Sequence, residues 1–204
     1  MHKYLLAFLG ICLVMLWGCS VPEEPEIWYG VSDRYGFMLA FDRDGQFLVV
    51  GAIELSLLDE YRDALAKHEI ESNYLGALQS LFGQKGSHYL QGTQANWIAL
   101  TEILLAQENV SAQKVRPSFQ AMVTLVLRYS GYLRKSPAVD TLEKLIGPQT
   151  TVQTVVETLA LLEEGVAKIR FYDMNRFLTV GEDPFVLQQW IADWTRNVLK
   201  EAIQ

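Results

Sequence analysis

The chain has 204 residues, of which half are apolar and a fifth are charged, and its 24 acidic side chains outnumber 17 basic ones. This hydrophobicity excludes a disordered chain, which would combine low hydrophobicity with a high net charge. The formal charge of −7 and the lack of any lysine- and arginine-rich run exclude a nucleic-acid binder, which needs a basic surface for phosphates. A chain of this length is expected to form one domain with at most a small extension.

The first 18 residues predict a targeting segment rather than a part of the fold. His2 and Lys3 make a short polar start, and the run from Leu5 to Trp17 is apolar apart from one glycine. The run is shorter than the roughly 20 residues of a membrane-spanning helix and is typical of a secretory signal. It ends in Leu16-Trp17-Gly18-Cys19, which resembles the lipobox of bacterial lipoproteins. We therefore predict a lipoprotein signal peptide over residues 1–18 and a lipid anchor, including palmitate, on Cys19.

Residues 19–26 predict an acidic, proline-rich tether between this anchor and the folded domain. Val21 to Glu26 holds two prolines and three acids, a composition that favours an extended linker. The alternative is an uncleaved signal that acts as a membrane anchor itself. Both interpretations place the protein in the bacterial cell envelope, outside the cytoplasm and held at a membrane. A processed, lipidated chain keeps no thiol, which excludes disulfides and cysteine chemistry.

The segments that follow predict a sheet covered by helices. Tyr35–Asp42 and Gln46–Ile53 are expected to be strands that meet at an Asp44-Gly45 turn. Both are apolar at nearly every position, so both faces of their sheet must be covered. Further strands are predicted at Ser87–Gln91, Lys168–Tyr172 and Phe177–Val180. Helices are predicted at Leu55–Lys67, Asn73–Phe82, Thr93–Gln107, Ser118–Lys135, Pro137–Ile146, Thr150 or Thr151 to Glu164, and Asp183–Ala202.

These segments predict one α/β domain over residues 27–204. It is expected to be helix-rich, with a small central sheet and helices on both faces.

The sequence lacks the common motifs of catalytic and metal-binding sites. It has no HExxH, GxSxG, GxxxxGK[ST] or GxGxxG pattern. His68 lies near a predicted helix end, where the dipole favours histidine, and His88 lies apart on a predicted strand. Asp42-Arg43-Asp44-Gly45 is similar to the start of a calcium loop, but Ile53 stands where the loop needs its bidentate glutamate. We predict no catalytic residue, no metal and no cofactor.

Three tryptophans on predicted amphipathic helices leave two interpretations open. Trp97, Trp190 and Trp194 are accompanied by Phe119 and Phe185. They can all belong to the core. Alternatively, some of them line an exposed apolar cleft for an acyl chain, a polyprenyl chain or a sugar face.

Several segments together resemble a known family. The hairpin Tyr35 to Ile53, the segment His88-Tyr89-Leu90 between two helices, and the helix start Arg116-Pro117-Ser118-Phe119-Gln120 are similar, in this order, to the LytR-CpsA-Psr family of envelope phosphotransferases. The resemblance implies an α/β/α sandwich that holds a polyprenyl-pyrophosphate lipid in an apolar channel. It also implies glycopolymer transfer onto the cell wall, aided by Mg²⁺ and by arginines on the pyrophosphate.

The chain resembles this family in a form that lacks its catalytic arginines. Tyr35 stands where the family has an aspartate, Leu55 where it has the arginine of a Pro-Arg-Asp segment, and Phe119 where it has the second arginine of its RxxRQ helix start. Arg116 and Gln120 are the matching residues that remain, and they are our candidate ligand-binding residues.

A pyrophosphate needs several cations to hold it and to stabilise its transfer. We therefore predict a non-catalytic body that binds an envelope lipid, a glycan or a protein partner. The alternative is a divergent phosphotransferase acting on polyprenyl-pyrophosphate-linked glycan. Three or more basic groups converging on an apolar cleft would favour the enzyme, and one or none would favour binding. An exposed apolar helix face without a cleft would instead favour a subunit that docks onto a protein partner.

Overall fold

The computed structural model describes residues 24–32, 34–42, 47–68, 70, 73–106, 119–128, 133, 138–147, 150–165, 168–177 and 183–203. The strands are β1 Glu26–Val31, β2 Tyr35–Phe41, β3 Phe47–Glu54, β4 His88–Gln91 and β5 Lys168–Asp173. The helices are α1 Leu55–Lys67, α2 Tyr74–Phe82, α3 Gln94–Ala106, α4 Phe119–Arg128, α5 Ala138–Glu143, α6 Val152–Gly165 and α7 Pro184–Ile203, with a 3₁₀ helix at Met174–Phe177. The signal segment, Cys19, the Asp44-Gly45 turn and Arg116 lie outside the described residues.

The five strands form one mixed sheet in the order β4-β1-β2-β3-β5. β2 is antiparallel to both β1 and β3, while β4 runs parallel to β1 and β5 runs parallel to β3. Four strands therefore end at the same side of the sheet, which we call the carboxyl edge. Val31, Glu54, Gln91 and Asp173 are the last residues of these strands.

Helices cover both faces of the sheet, which confirms the predicted α/β class and arrangement. On the first face, α1, α2 and α7 pack onto residues such as Met38 and Ile53. On the second face, α3, α4, α5 and α6 pack onto residues such as Trp28 and Val50. The two sets of strand residues alternate along the chain because successive side chains point to opposite faces. No helix in the described ranges is long and apolar enough to cross a membrane.

β1 is an inner strand that we did not predict from the sequence. It begins at Glu26, the last residue of the predicted tether, and pairs with β2 on one side and β4 on the other. Trp28 and Tyr29 are almost completely buried there. The segment is short, and Gly30 interrupts its apolar pattern, so its strand signal is weak until the neighbouring strands supply hydrogen bonds.

The predicted helix to Ile146 is wrong at its end, because α5 stops at Glu143. Ile146 instead forms a β-bridge with Leu90 of β4. The amide of Gln91 donates to the carbonyl oxygen of Leu145 at 2.9 Å, and the amide of Gly147 donates to that of Tyr89 at 3.0 Å. β4 is an outer strand, and this segment satisfies the backbone groups of its free edge.

Other predicted boundaries have different outcomes. The strand predicted at Phe177–Val180 is wrong at Phe177, which ends the 3₁₀ helix, and residues 178–180 lie outside the described ranges. Helix α4 is described as Phe119–Arg128, so most of its predicted extension to Lys135 also lies outside. The predicted glycine stop of α2 is confirmed, since Gly83 has a φ of 65°.

Candidate functional site

The helices cover the two faces of the sheet to different degrees. On the first face, the inner-strand residues Met38 and Ala40 are 0% exposed and Val49 is 1% exposed. On the second face, Leu39 of β2 and Ala52 of β3 are only partly buried, although Leu39 is flanked by Trp28 and Val50 on the neighbouring strands. A side chain in the middle of a sheet stays partly exposed only where the helix layer leaves space above it. We call this space the second-face gap.

Apolar side chains surround the second-face gap. Like Leu39 and Ala52, other partly buried apolar residues pack against the core of this face; they come from β5 and from three of the covering helices, and they include Phe171, Trp97, Ile103, Val123, Val126 and Val152. This lining is suited to an apolar ligand and offers little to a freely soluble polar one.

The wall of the gap nearest the carboxyl edge is aromatic. The ring of Phe37 lies directly over Gly30 of the adjacent strand, where an added Cβ would come within 2.0 Å of the ring. Phe37 also meets the ring of Trp97 edge-on, with the centroids 5.9 Å apart. The missing side chain at position 30 therefore lets Phe37 lie flat along the sheet and reach helix α3.

Polar side chains lie at the carboxyl edge on the same face as the gap. The strand alternation places Tyr35, Glu54 and Asp173 there, with Tyr35 paired to Glu54 and Asp173 paired to Ala52. Asn175 links the two acidic strand ends. Its side-chain Oδ1 accepts from the backbone amide of Glu54 at 2.9 Å, and its backbone amide donates to Oδ1 of Asp173 at 3.1 Å. These residues form the mouth of the second-face gap.

Two basic residues lie near this edge among the described contacts, Arg34 by its side chain and Lys144 by its backbone. The guanidinium of Arg34 lies 5.6 Å from the centre of the Tyr35 ring. Lys144 is exposed, and its carbonyl oxygen accepts from Asn96 Nδ2 at 3.4 Å in the first turn of α3. Within the described ranges, no three His, Cys, Asp or Glu side chains are grouped so that they could hold a metal ion.

Of the candidate site residues, the structure describes Gln120 alone. It is exposed on α4, and its carbonyl oxygen accepts from the hydroxyl of Thr124 at 2.9 Å. The same helix contributes Val123 and Val126 to the gap lining. The roles of Arg116 and Cys19 stay predictions, because both residues lie outside the described ranges.

His68 and His88, the histidines in the described ranges, make packing contacts rather than a shared site. His68 follows the end of α1, as predicted, and its ring lies 5.0 Å from that of Phe185. His88 lies on β4 at the edge of the sheet opposite the mouth. Its Nε2 is 3.6 Å from Oε1 of Glu26, which also accepts from the indole nitrogen of Trp28 at 2.7 Å.

The three tryptophans have three different environments. Trp194 packs edge-on against Tyr172 on the first face, with ring centres 4.7 Å apart. Trp190 is 51% exposed on α7. Trp97 lies at the wall of the second-face gap. This position agrees with the second interpretation of the sequence, in which some of the tryptophans line an apolar cleft.

The shifted pKa values belong to the first face and not to the gap. Burial raises the pKa of Tyr29 and of Tyr61, and burial followed by the nearby Tyr74 raises the pKa of Tyr89 to about 12. Burial also raises the pKa of Tyr74, whose hydroxyl donates to Asp59 at 2.9 Å. These shifts mark packed tyrosines rather than a reactive group.

Several solved structures have the same architecture. TagT bound to LI-WTA matches with a TM-score of 0.54 at 6% identity, over 88% of this chain and 92% of that chain. The LytR-CPS2A-Psr family protein YwtF (TagT) with bound octaprenyl pyrophosphate lipid matches at 0.51 and 7% identity, over the same shares. The fold is that of the LytR-CpsA-Psr family. Lin1025 from Listeria innocua matches at 0.51 and 9% identity, over 89% of this chain and 99% of that chain.

At such low identities the likeness establishes the fold alone. It confirms the resemblance that the segment order indicated. No family model matches the chain, and no curated protein matches it by sequence.

Proposed function

We propose that this chain is an extracytoplasmic protein that holds a polyprenyl-linked envelope lipid in the second-face gap. The observation that carries the proposal is the partial exposure of Leu39 and Ala52 beneath the helix layer, with polar residues at one end of the gap. A polyprenyl lipid has the same arrangement, since its long chain is apolar and its head group is polar. Burying the chain stabilises the complex by about 25 cal/mol per Å² of apolar surface.

Two structures with this fold support the choice of ligand. One is the protein with bound octaprenyl pyrophosphate lipid, and the other is TagT bound to LI-WTA. The fold is therefore able to accept an octaprenyl pyrophosphate lipid. We extend this ability to the present chain because its gap lies between the sheet and a layer of apolar helices.

We further propose that the lipid is bound without phosphoryl transfer. Transfer from a pyrophosphate requires cations that stabilise the charge of the departing phosphate. Among the described contacts, the guanidinium of Arg34 is the cation placed near the mouth, beside Tyr35, where Glu54 and Asp173 add two carboxylates. Binding has no such requirement, because the apolar chain supplies most of the affinity.

A divergent phosphotransferase is the second candidate, and the ligand-bound structures of this fold favour it. It would need further cations at the mouth, and Arg116 is the residue that the family resemblance suggests. Turnover of a pyrophosphate-linked lipid by the purified protein with Mg²⁺, lost on Arg116→Ala, would establish this candidate in place of the first.

The experiment that tests the proposed function narrows the gap and measures lipid binding. Full-length protein in detergent is titrated with octaprenyl pyrophosphate, and the complex is quantified by native mass spectrometry. Ala52→Phe adds a ring beside Phe37, so we expect binding to fall at least about tenfold. Ala64→Phe is the matched control, because Ala64 is also partly buried but lies on α1 over the first face. It should leave binding unchanged.

Two results would contradict the proposed function. One is the absence of octaprenyl pyrophosphate binding to the unmodified protein. The other is equal binding by Ala52→Phe and Ala64→Phe when both variants keep the circular dichroism spectrum of the unmodified protein.

A further inference from the structure

Trp97 carries a buried hydrogen-bond donor that has no partner in the described part of the chain. Its indole Nε1 is shielded from solvent and makes no hydrogen bond there, although the ring as a whole is only partly buried. The exposed surface of the residue lies at other atoms, and Nε1 itself is covered by protein. A buried donor without a partner costs about 1–3 kcal/mol. A ligand that displaces the side chains covering this donor and supplies an acceptor would satisfy it.

The position of Trp97 indicates which part of a bound lipid would supply that acceptor. Its ring meets Phe37, which lies two residues inward from Tyr35 at the carboxyl edge, and Leu39 lies two residues further. At about 3.4 Å per residue, Phe37 is about 7 Å and Leu39 about 14 Å from the edge. A lipid whose chain lies against Leu39 and whose head group reaches the carboxyl edge would pass Trp97 where its apolar and polar parts join.

We propose that the indole N–H of Trp97 donates a hydrogen bond to an oxygen at the phosphate end of the bound lipid. This inference rests on the proposed function and adds the residue that recognises the polar end of the ligand. Its consequence is selectivity. A phosphorylated isoprenoid satisfies the donor, whereas an isoprenoid hydrocarbon of similar shape leaves it unpaired.

The inference also separates the effect of Trp97 on ligand binding from its effect on stability. Trp97→Phe keeps an aromatic ring against Phe37 but removes the N–H. In the empty protein the change removes an unpaired buried donor, so the thermal midpoint should stay the same or rise. In the complex the change removes a hydrogen bond to a charged acceptor. A residue that only packs would instead lower the thermal midpoint and weaken every ligand alike.

The test compares two probes on full-length protein in detergent. Octaprenyl pyrophosphate carries phosphate oxygens, and squalene is an isoprenoid hydrocarbon without any oxygen. We expect Trp97→Phe to weaken octaprenyl pyrophosphate binding about 10-fold or more, as for a hydrogen bond to a charged group, and to leave squalene binding unchanged. Trp194→Phe, which alters a tryptophan on the first face, is the control and should change neither affinity.

Each other result counts against the inference. Unchanged binding of octaprenyl pyrophosphate by Trp97→Phe would show that the N–H finds another partner, such as a buried water. Equally weakened binding of both probes, or a lower thermal midpoint of the ligand-free variant, would show that Trp97 only packs. If the unmodified protein bound squalene and octaprenyl pyrophosphate equally, the donor would have no selective role. Failure of the unmodified protein to bind octaprenyl pyrophosphate would remove the proposed function itself, and the inference with it.

Discussion

At the scale of single residues, Gly30 determines how the aromatic wall of the second-face gap is built. A Cβ at this position would lie 2.0 Å from Cζ of Phe37 and 2.5 and 2.7 Å from the two neighbouring ring atoms. No small adjustment relieves contacts with three atoms of one rigid ring. The ring would have to leave its place between β1 and Trp97, and the mouth of the gap would change with it.

We therefore expect Gly30→Ala to lower the free energy of unfolding by about 1–3 kcal/mol, the usual cost of overpacking a core. Urea denaturation followed by circular dichroism measures it. Gly76→Ala is the matched control, since a Cβ there meets only Asn73 Oδ1 at 3.3 Å and alanine favours a helix by roughly 0.5–1 kcal/mol over glycine. Similar unfolding midpoints for the two variants would refute this account of Gly30.

The sequence predicts single residues well where their partners are close in the chain. The side chains of Thr93 and Asp183 accept from amides three and two residues later, at 3.3 and 2.8 Å, as expected for helix caps. The environments of Trp97, Trp190 and Trp194 were not predictable in this way. All three lie on amphipathic helices, and whether each is exposed depends on strands that are distant in sequence.

At the scale of elements, the outer edge of β4 is closed by the segment that follows α5. Thr150 completes the closure with its side chain, because its hydroxyl accepts from the amide of Tyr89 at 3.1 Å and donates to the carbonyl oxygen of Tyr89 at 3.1 Å. Both bonds are buried. One hydroxyl thus satisfies two backbone groups of an edge strand that has no further strand beside it.

Thr150→Val tests this closure, since valine keeps the shape of threonine and removes the hydroxyl. We expect a loss of about 1–3 kcal/mol in the free energy of unfolding, because the buried amide of Tyr89 loses its partner and the carbonyl oxygen keeps only the bond from Gly147. Thr124→Val is the control: its hydroxyl also bonds a carbonyl oxygen, but at an exposed position of α4, so its effect should stay within about 0.5 kcal/mol. Chemical denaturation of both variants measures the free energy of unfolding. Equal losses in the two variants would contradict the role of Thr150 in closing the edge of β4.

The elements were predictable to the extent that they form from local pattern. The β2–β3 pairing and most helices follow from apolar runs, turn residues and caps near one another in sequence. β1 and the end of α5 do not, because both are determined by β4. β1 is completed by its pairing with β4, and the chain leaves α5 early to pair with the other side of β4. A strand edge that needs hydrogen bonds overrides local helix preference.

At the scale of the whole molecule, the start of β1 at Glu26 and the mouth of the gap lie at opposite ends of the sheet. β1 begins at Glu26 and ends at the carboxyl edge, about 20 Å away at 3.4 Å per residue. Removal of residues 1–18 takes away Lys3, so 16 basic side chains would face 24 acidic ones, a charge of −8. Anionic head groups repel such a body. Its attachment to a membrane would therefore depend on the anchor.

The last prediction concerns the lipid anchor, and a second cysteine in the chain provides the control. The sequence has two cysteines: Cys19 ends the lipobox-like segment, and Cys12 lies within the apolar run that processing would remove. Lipid attachment through a thioether needs the thiol of Cys19, so Cys19→Ala should abolish palmitate labelling in bacterial cells and leave a longer, unprocessed precursor on a gel. Cys12→Ala should be labelled and processed like the unmodified protein. Labelling that survives in Cys19→Ala, or is lost in Cys12→Ala, would refute lipidation at Cys19 and leave the uncleaved signal as the means of membrane attachment.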